Sequence, residues 1–447
     1  MIEQKQRAIL FVILSISFFL KFALWLFILT ADVNRFDWPD TKYYQLSALA
    51  LLQTGSFSIS PENPDEPQTF RIPGYPIFLV AVYAIFGSSK PAVIFIQIML
   101  SLGTISLIYF TADKLYGSNV ALITTLLLAL DHLSLSYSML MIPETLFTLL
   151  IAFVLFTAVN YFTSDNKAKW ALILGVCFSL AALVKPIGYY LIFISVLGIM
   201  FWNIAQKVRW KDILISILFI IVTFIFVVGG WQLHNYKHTG IAMFSSLVGR
   251  DLLFWHGAAV ISLRDGIELG EVQTRIGKDG LGEGFLEQHP EAKDLSFAER
   301  TEIMKRDGLN LIMKHPFLFI RNYTAGLAKM MIRPGIGQLL AELGVPLELY
   351  SPRNFYKYPL IGFLIMFALF HQILIYSGTL HYFWNIIRNR HVDIATLFLI
   401  GVLFYFSILS GGPGSHNRYR IPFTPILCLF TAKSLIDFFS KRIKISK

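Results

Sequence analysis

Residues 213–231 read ILISILFIIVTFIFVVGGW, a run without a single charged side chain. An α-helix rises about 1.5 Å per residue, so a run of this length covers the roughly 30 Å hydrocarbon core of a bilayer. Working outward, further long apolar runs lie at 9–29, 90–112, 119–134, 140–162, 169–185, 187–205, 358–386, 394–410 and 421–439, which brings the expected spans to ten. The runs are continuous, whereas a transmembrane β-barrel alternates apolar and polar residues in strands of about ten. Of 447 residues 55% are apolar and 15% charged, against about 25% charged in soluble domains, which excludes a soluble multi-domain enzyme. Forty Phe, 19 Tyr and 8 Trp exclude a disordered chain. The expected class is an all-α polytopic membrane protein.

Charge sets the expected topology. Lys and Arg number 38 against 28 Asp and Glu, a net +10, but much of the excess sits in short loops between apolar runs and not in a nucleic-acid-binding patch. With the N-terminus inside, the inner loops hold Lys114, Lys167, Lys169, Lys207, Arg209, Lys211, Arg388 and Arg390. The tail 441–444 is also inside, and the short outer loops keep only Lys185, Arg418 and Arg420. The apolar run 74–87 is 14 residues long, below the ~17–25 needed to cross; counting it as a span would put the basic clusters outside. It is expected to lie along the surface or re-enter. The first run follows Lys5 and Arg7 and reads as an uncleaved span. Cys177 and Cys428 lie within apolar runs, so no disulfide framework is implied.

The chain thus divides into an N-terminal transmembrane module (1–231) with a first outer loop at 31–89, a large outer segment at 232–357, and C-terminal transmembrane helices at 358–447. In the first loop the sequence predicts a helix from Thr41 to Leu52 stopped by Gly55, then a turn at Pro61–Pro67. In the second, Ser296-x-x-Glu299 is a capping box opening a helix to about Lys314. Pro316 begins an amphipathic helix ended by Pro334-Gly335 and suited to the membrane interface.

Polar groups near a membrane face are costly, so those present are functional candidates. On the outer side stand Asp37, Asp40, Arg71, Asp131, His132, Glu144, Lys185, His234, Asn235, Tyr236, His416, Arg418, Tyr419 and Arg420. Carboxylates and cations converging at one interface suit an anionic leaving group and a base that activates a hydroxyl. Each also has a plainer reading. Asp40 and Asp131 stand where a helix cap would, and Glu144 opens a helix whose dipole favours an anion. Lys185 can snorkel to headgroups, and Arg418 and Arg420 can bind lipid phosphate. No H-E-x-x-H signature occurs, so the sequence predicts no zinc site, and Gly411-Gly-Pro-Gly414 lacks the Lys-Ser/Thr of a P-loop and reads as an outer turn.

The run Asp40-Thr-Lys-Tyr43-Tyr44-x-x-x-Ala48, then Gly55-x-Phe57-Ser58 and Arg71-x-Pro-Gly-Tyr75-Pro, resembles the first outer loop of GT-C-fold membrane glycosyltransferases. The nearest group is the phospholipid-carrier-dependent branch, which includes protein O-mannosyltransferases, the lipid A aminoarabinose transferase and galacturonosyltransferase-like enzymes. The resemblance continues through Lys114-Leu-Tyr-Gly117, Leu-Ala-Leu-Asp131, Pro143-Glu144-Thr-Leu-Phe147 and Ala-Leu-Val-Lys185-Pro-x-Gly188. It extends to Gly230-Trp231-x-x-His234-Asn235-Tyr236 and to Asn417-Arg418-Tyr419-Arg420-x-Pro422, leaving out most of 250–350.

The resemblance implies a GT-C fold of about ten transmembrane helices that transfers a sugar from a polyprenyl-phosphate donor to a cell-envelope glycan or lipid. The setting would be the outer face of a bacterial inner membrane, with both termini cytoplasmic. Asp40 would be the catalytic carboxylate and Glu144 the second acidic residue. Arg71 would contact the carrier phosphate, with Lys185, Arg418 and Arg420 as further phosphate-binding candidates. Asp37, Tyr43, Tyr75, Asp131, His234, Asn235, His416 and Tyr419 are candidates for substrate contact. Thr41 follows Asp40 where protein mannosyltransferases carry an Asp-Glu pair, which argues against a protein acceptor. A divalent metal can share the phosphate role, although no motif demands one, and membrane lipids are the only other partner expected. An O-antigen polymerase or ligase and a multi-spanning transporter are the rival readings. A transporter would show inverted repeats and midplane charges; here no repeat is visible and the candidates gather at one face.

Overall fold

The computed structural model describes residues 2–278, 283–350, 358–390 and 392–445, and it is almost wholly helical. A long first helix, α1 (Ile2–Ala31), ends where Asp32 accepts a hydrogen bond from the Asn34 amide and starts a short 3-10 turn. Helix α2 (Thr41–Thr54) stops at Gly55, whose φ of +74° supplies the left-handed cap that a β-carbon would strain. Where the sequence predicts only a turn at 61–67, the chain forms a small antiparallel hairpin, β1 (Ser58–Ser60) with β2 (Asn63–Pro67). Prolines are tolerated in β2 because a two-stranded ribbon is all edge, so their missing N–H groups leave no ladder broken on the outer side.

Helix α3 (Gly74–Phe86) is short, as expected, and buries Tyr75, Leu79, Val82 and Tyr83. It is followed by α4 (Lys90–Tyr116), α5 (Ser118–Ala129), α6 (His132–Tyr137), α7 (Glu144–Thr163), α8 (Lys167–Val184) and α9 (Leu191–Ala205). Next, α10 (Trp210–Phe224) runs through a π-helical turn into α11 (Gly230–Thr239). The segment after α11 contributes α12 (Leu247–Asp251), α13 (Ala258–Asp265), α14 (Leu269–Arg275), α15 (Glu283–Gln288), α16 (Phe297–Lys314), α17 (Pro316–Ile332) and α18 (Gly337–Glu342). The capping box opening α16 is present in full, and α17 begins at the expected proline. The chain closes with α19 (Pro359–Asn389), α20 (Ile394–Leu409) and α21 (Thr424–Ile445).

Among the described residues seven helices are long and apolar enough to cross a membrane: Gln4–Ala31, Lys90–Tyr116, Glu144–Thr163, Lys167–Val184, Pro186–Ile204, Trp210–Thr239 and Pro359–Asn389. The runs read at 119–134 and 394–410 form shorter apolar helices, Ser118–Ala129 and Ile394–Leu409. The first stops early because Asp131 turns the chain: its carboxylate caps α6 through the Ser134 amide at 2.8 Å. Residues 139–142 also depart from expectation, forming a wholly buried irregular stretch instead of the start of a span. Its backbone is satisfied from the side: the Met141 amide donates to the Phe36 carbonyl (2.9 Å), the Met141 carbonyl accepts from Thr41 Oγ1 (3.0 Å), and Gln97 donates to the Leu140 carbonyl (2.8 Å). Hydrophobicity alone cannot distinguish this from helix, because what licenses irregular backbone in an apolar interior is the set of partners that meets it.

Helix α7 is the hub, with 72% of its apolar window buried against 22% for α1. The outer faces of α1, α10 and α19 expose Phe11, Leu214 and Phe370, the pattern of helices whose solvent on that side is lipid. Helix α3 reaches this bundle through Gly74. A β-carbon there would lie 2.6 Å from the Leu183 carbonyl oxygen and 2.8 Å from Val184 Cγ2, at the end of α8. Gly74→Ala should therefore push α3 off α8 and lower the thermal midpoint in detergent, with a cost of roughly 1–3 kcal/mol. Gly230→Ala, at a site with open space around it, should leave the midpoint within a degree or two.

Candidate active site

Asp40 occupies the position just before α2, yet its side chain makes no capping bond. Thr41 closes the turn instead, its hydroxyl accepting from the Trp38 amide at 2.9 Å. The Asp40 carboxylate is thereby free for two guanidiniums: Arg71 donates to one oxygen at 2.7 Å and Arg418 to the other at 3.3 Å. Arg71 is held from both ends. Its amide donates to Gln68 Oε1 (3.0 Å), and its Nη1 donates to the Tyr44 hydroxyl (3.3 Å). The guanidinium lies against the rings of Phe70, Tyr44 and Tyr43 at 4.5, 4.8 and 5.6 Å, favourable cation–π contacts in a poorly hydrated place.

Arg418 comes from a 3-10 turn, Asn417–Arg420, and packs over Trp38 at 5.2 Å. Its Nε stands 3.4 Å from Glu144, the first residue of α7. Glu144 is 1% exposed and takes a second partner, Lys185 Nζ, at 3.0 Å. Lys185 therefore turns inward at the end of α8. The result is one line of alternating charge, Lys185–Glu144–Arg418–Asp40–Arg71, with three cations to two carboxylates and so one surplus positive charge.

The protonation states follow from this placement. Burial alone would raise the Asp40 carboxyl, but Arg71 and Arg418 outweigh it and hold it below the usual carboxylate range. Burial, with Arg418 adding to it, pushes His416 down to about 4 and keeps that imidazole neutral. His416 meets the Tyr137 hydroxyl at 3.1 Å and sets its ring edgewise on Trp38. Tyr419 lies beneath both Lys185 and Arg418, each 5.4 Å from its ring.

Other candidates land elsewhere. Arg420 is buried and spent on structure, donating to the Met331 and Pro334 carbonyls at 3.0 and 3.1 Å and to the Tyr376 hydroxyl at 2.9 Å. Asp37 pairs with Lys90 at 2.5 Å. Tyr75 sits one layer behind Tyr44, its hydroxyl donating to Gln97. Asn235 donates to the Met243 carbonyl. His234 stacks on Trp231 and, with His238 one turn further on, lines a cleft against Phe57 and Asp65 of the hairpin region. Asp131 and His132 join His371, not the five-charge line.

Three contributors escaped the sequence reading. Tyr44 and Trp38 could have been suspected as aromatic walls next to Asp40. Asp251, at the end of α12, carried no local signal. Burial pushes its carboxyl up to about 6, against the opposing pull of Arg250 and Arg71, and it also feels Asp40.

This geometry sits in a fold seen before. The archaeal oligosaccharyltransferase AglB from Archaeoglobus fulgidus, solved with an inhibitory peptide and a dolichol-phosphate, matches 98% of this chain with a TM-score of 0.56 at 14% identity. ArnT from Cupriavidus metallidurans, solved bound to undecaprenyl phosphate, matches 93% of it with a TM-score of 0.42 at 13% identity. The chain is a polytopic α-helical membrane protein with the GT-C fold. Residues 65–231 match the family model described as dolichyl-phosphate-mannose-protein mannosyltransferase. An uncharacterized protein of Aquifex aeolicus (strain VF5) is 28% identical over 195 residues, 43% of this chain and 38% of that protein. The chain spans about half the length of AglB (51%) and 76% of ArnT.

The two arginines should separate cleanly. Arg420→Ala, which strands buried carbonyls, should cost roughly 2–4 kcal/mol of stability while leaving affinity for a short-chain alkyl phosphate unchanged by isothermal titration. Arg71→Ala should weaken that binding about tenfold to a hundredfold, and Arg71→Lys, which keeps charge but loses the fork, should recover only part.

Proposed function

We propose that the protein is a membrane glycosyltransferase that moves a sugar from a polyprenyl-phosphate donor to a cell-envelope glycan or lipid at the outer face of a bacterial inner membrane. The observation that carries this reading is the charge line with its surplus cation. A phosphodiester brings one negative charge, and Arg71, Arg418 and Lys185 lie along a single path that can receive it. The match of residues 65–231 to the mannosyltransferase model supports the same class of chemistry.

In the proposed reaction the acceptor hydroxyl oxygen forms a bond to the anomeric carbon of the sugar as the bond from that carbon to the phosphate oxygen breaks. The bonding pair leaves with the polyprenyl phosphate, whose second negative charge is met by the guanidiniums. The hydroxyl proton passes to Asp40. When phosphate engages Arg71 and Arg418, the two groups that hold Asp40 strongly acidic are drawn away, and its basicity rises as the donor binds. Glu144 keeps Arg418 and Lys185 in place. Displacement in one step inverts the anomeric centre.

Asp40→Asn tests the base. It keeps the shape and one acceptor oxygen, so the protein should still fold with a modestly lowered thermal midpoint, while transfer from a polyprenyl-phosphate sugar in nanodiscs falls by about a hundredfold or more. A stable, fully active variant would overturn the assignment. Glu144→Gln should be milder.

A second expectation concerns pH. Above about 6 Asp251 is anionic and competes with phosphate for Arg71; below it, the carboxyl is neutral. Affinity for a non-hydrolysable phosphodiester donor analogue should therefore tighten several-fold as pH falls from about 7.5 to 5. In Asp251→Asn the pH dependence should flatten.

Orientation is checked by labelling. The native cysteines are buried. A cysteine at Glu291, whose side chain is 68% exposed, should react with an impermeant maleimide in cells with a permeabilised outer membrane. One at the exposed Asp165 should react only after lysis.

A further inference from the structure

Asp131, His132 and His371 come from three places in the chain: the turn after α5, the first residue of α6, and the middle of α19. They are 4%, 5% and 4% exposed, and one ligand atom from each lies within 4.8 Å of the other two. The hydrogen-bond partners fix the tautomers. His132 Nε2 is 2.6 Å from the Pro334 carbonyl, and His371 Nε2 is 2.9 Å from the Leu127 carbonyl. A carbonyl can only accept, so both Nε2 atoms carry the proton, and in neutral rings both Nδ1 atoms present lone pairs. His132 Nδ1 is buried without a partner, and His371 Nδ1 stands 3.9 Å from Asp131 Oδ1. The other Asp131 oxygen is committed to the Ser134 amide (2.8 Å) and hydroxyl (2.6 Å). A nitrogen from each ring and a carboxylate oxygen thus lie within 4.8 Å of one another, each buried, with one imidazole nitrogen unpartnered, a donor cluster that a cation held between them would stabilise. The nearby buried Lys21 ammonium donates to Ser17.

We infer that Asp131, His132 and His371 bind one divalent transition-metal ion, with zinc the best chemical match. Two imidazole nitrogens and one carboxylate oxygen favour zinc and its first-row neighbours over magnesium or calcium. The Nε2–H bonds to backbone carbonyls are the outer partners that orient metal-ligating histidines, and the Ser134 contacts do the same for the carboxylate. Tetrahedral Zn–N and Zn–O bonds of about 2.0–2.2 Å put donor atoms roughly 3.3–3.6 Å apart, so the cluster, spread over as much as 4.8 Å with His371 Nδ1 and Asp131 Oδ1 at 3.9 Å, closes around the ion by side-chain rotation. The ion would tie α19, in the C-terminal helices, to the α5–α6 turn. That turn leads directly into the buried 139–142 stretch, which holds Phe36 and Thr41 beside Asp40. This site is separate from the donor site, and its residues take no part in the proposed transfer step.

The test uses the full-length protein carrying a non-histidine affinity tag. Elemental analysis of chelator-free preparations should find about one zinc per chain. After stripping with a chelator, added Co²⁺ should produce visible d–d absorption and added Zn²⁺ should raise the thermal midpoint. His371→Gln and His132→Gln should each lose the bound zinc and the Zn²⁺-dependent shift. If wild-type protein holds less than about a tenth of an equivalent of metal and Co²⁺ gives no spectrum, the inference fails. The same holds if nuclear magnetic resonance finds His371 as an imidazolium bridging Asp131 and the Leu127 carbonyl. Because the decisive readings come from wild-type protein, a variant that fails to fold does not protect the proposal, and glycosyl transfer is not among the readouts.

Discussion

A carboxylate 1% exposed at the head of the central helix is the constraint around which the rest of this molecule is arranged. An ionised Glu144 left alone there would carry a desolvation penalty of several kcal/mol. The helix N-terminus it occupies offsets only part of that. The remainder is met by Lys185, from the end of α8, and Arg418, from the turn before α21. Arg418 serves both carboxylates at once, with its Nε 3.4 Å from Glu144 and its Nη2 3.3 Å from Asp40. Asp40 in turn fixes Arg71. One buried charge therefore couples the loop before α2, the central helices and the C-terminal turn into a single electrostatic object, and each carboxylate in it is shared by two cations.

The aromatic walls explain how the line stays assembled and still open to an anion. Phe70, Tyr43 and Tyr44 cover Arg71, and Trp38 covers Arg418. Rings hold a guanidinium by its face and leave its N–H edge free, so the cations stay in place when an edge partner is exchanged. A phosphate replacing a carboxylate at those edges exchanges one charge-assisted hydrogen bond for another, with less reorganisation than drawing a hydrated cation out of solvent would need.

Much of this was legible in the residues. Continuous apolar runs identified the class, the Ser296/Glu299 capping box placed α16, and Gly55 marked the end of α2. Asp40, Arg71, Glu144, Lys185 and Arg418 were all singled out as one-sided polar groups, and these five form the charge line. What could not be read was commitment. Nothing local distinguishes Arg418, which faces Asp40, from Arg420 two residues on, which is spent on the Met331 and Pro334 carbonyls. A 3-10 turn sends the two side chains to different places, and only the folded α17 supplies the carbonyls that claim one of them. The stretch 139–142 failed for a related reason: its apolar residues look helical until side chains from α2 and α4 are present to satisfy its backbone.

Asp251 shows the same limit from the other direction, and it completes the division of labour among the carboxyls. It arrives from the segment after α11, where α12 is clamped to α16 by Gly249, whose missing side chain lets the Thr301 backbone approach. Asp40 is held ionised by two guanidiniums, whereas burial pushes the Asp251 carboxyl up to about 6. Two carboxyls tuned apart within one charged site can take different parts at a single pH. In the proposed reaction the strongly acidic one organises the cations until the donor takes them over. The weakly acidic one adds or withdraws a negative charge over the range in which an anion must enter and leave. On this proposal the segment that carries α12 tunes the anion site, because it brings a carboxyl that burial pushes up to about 6.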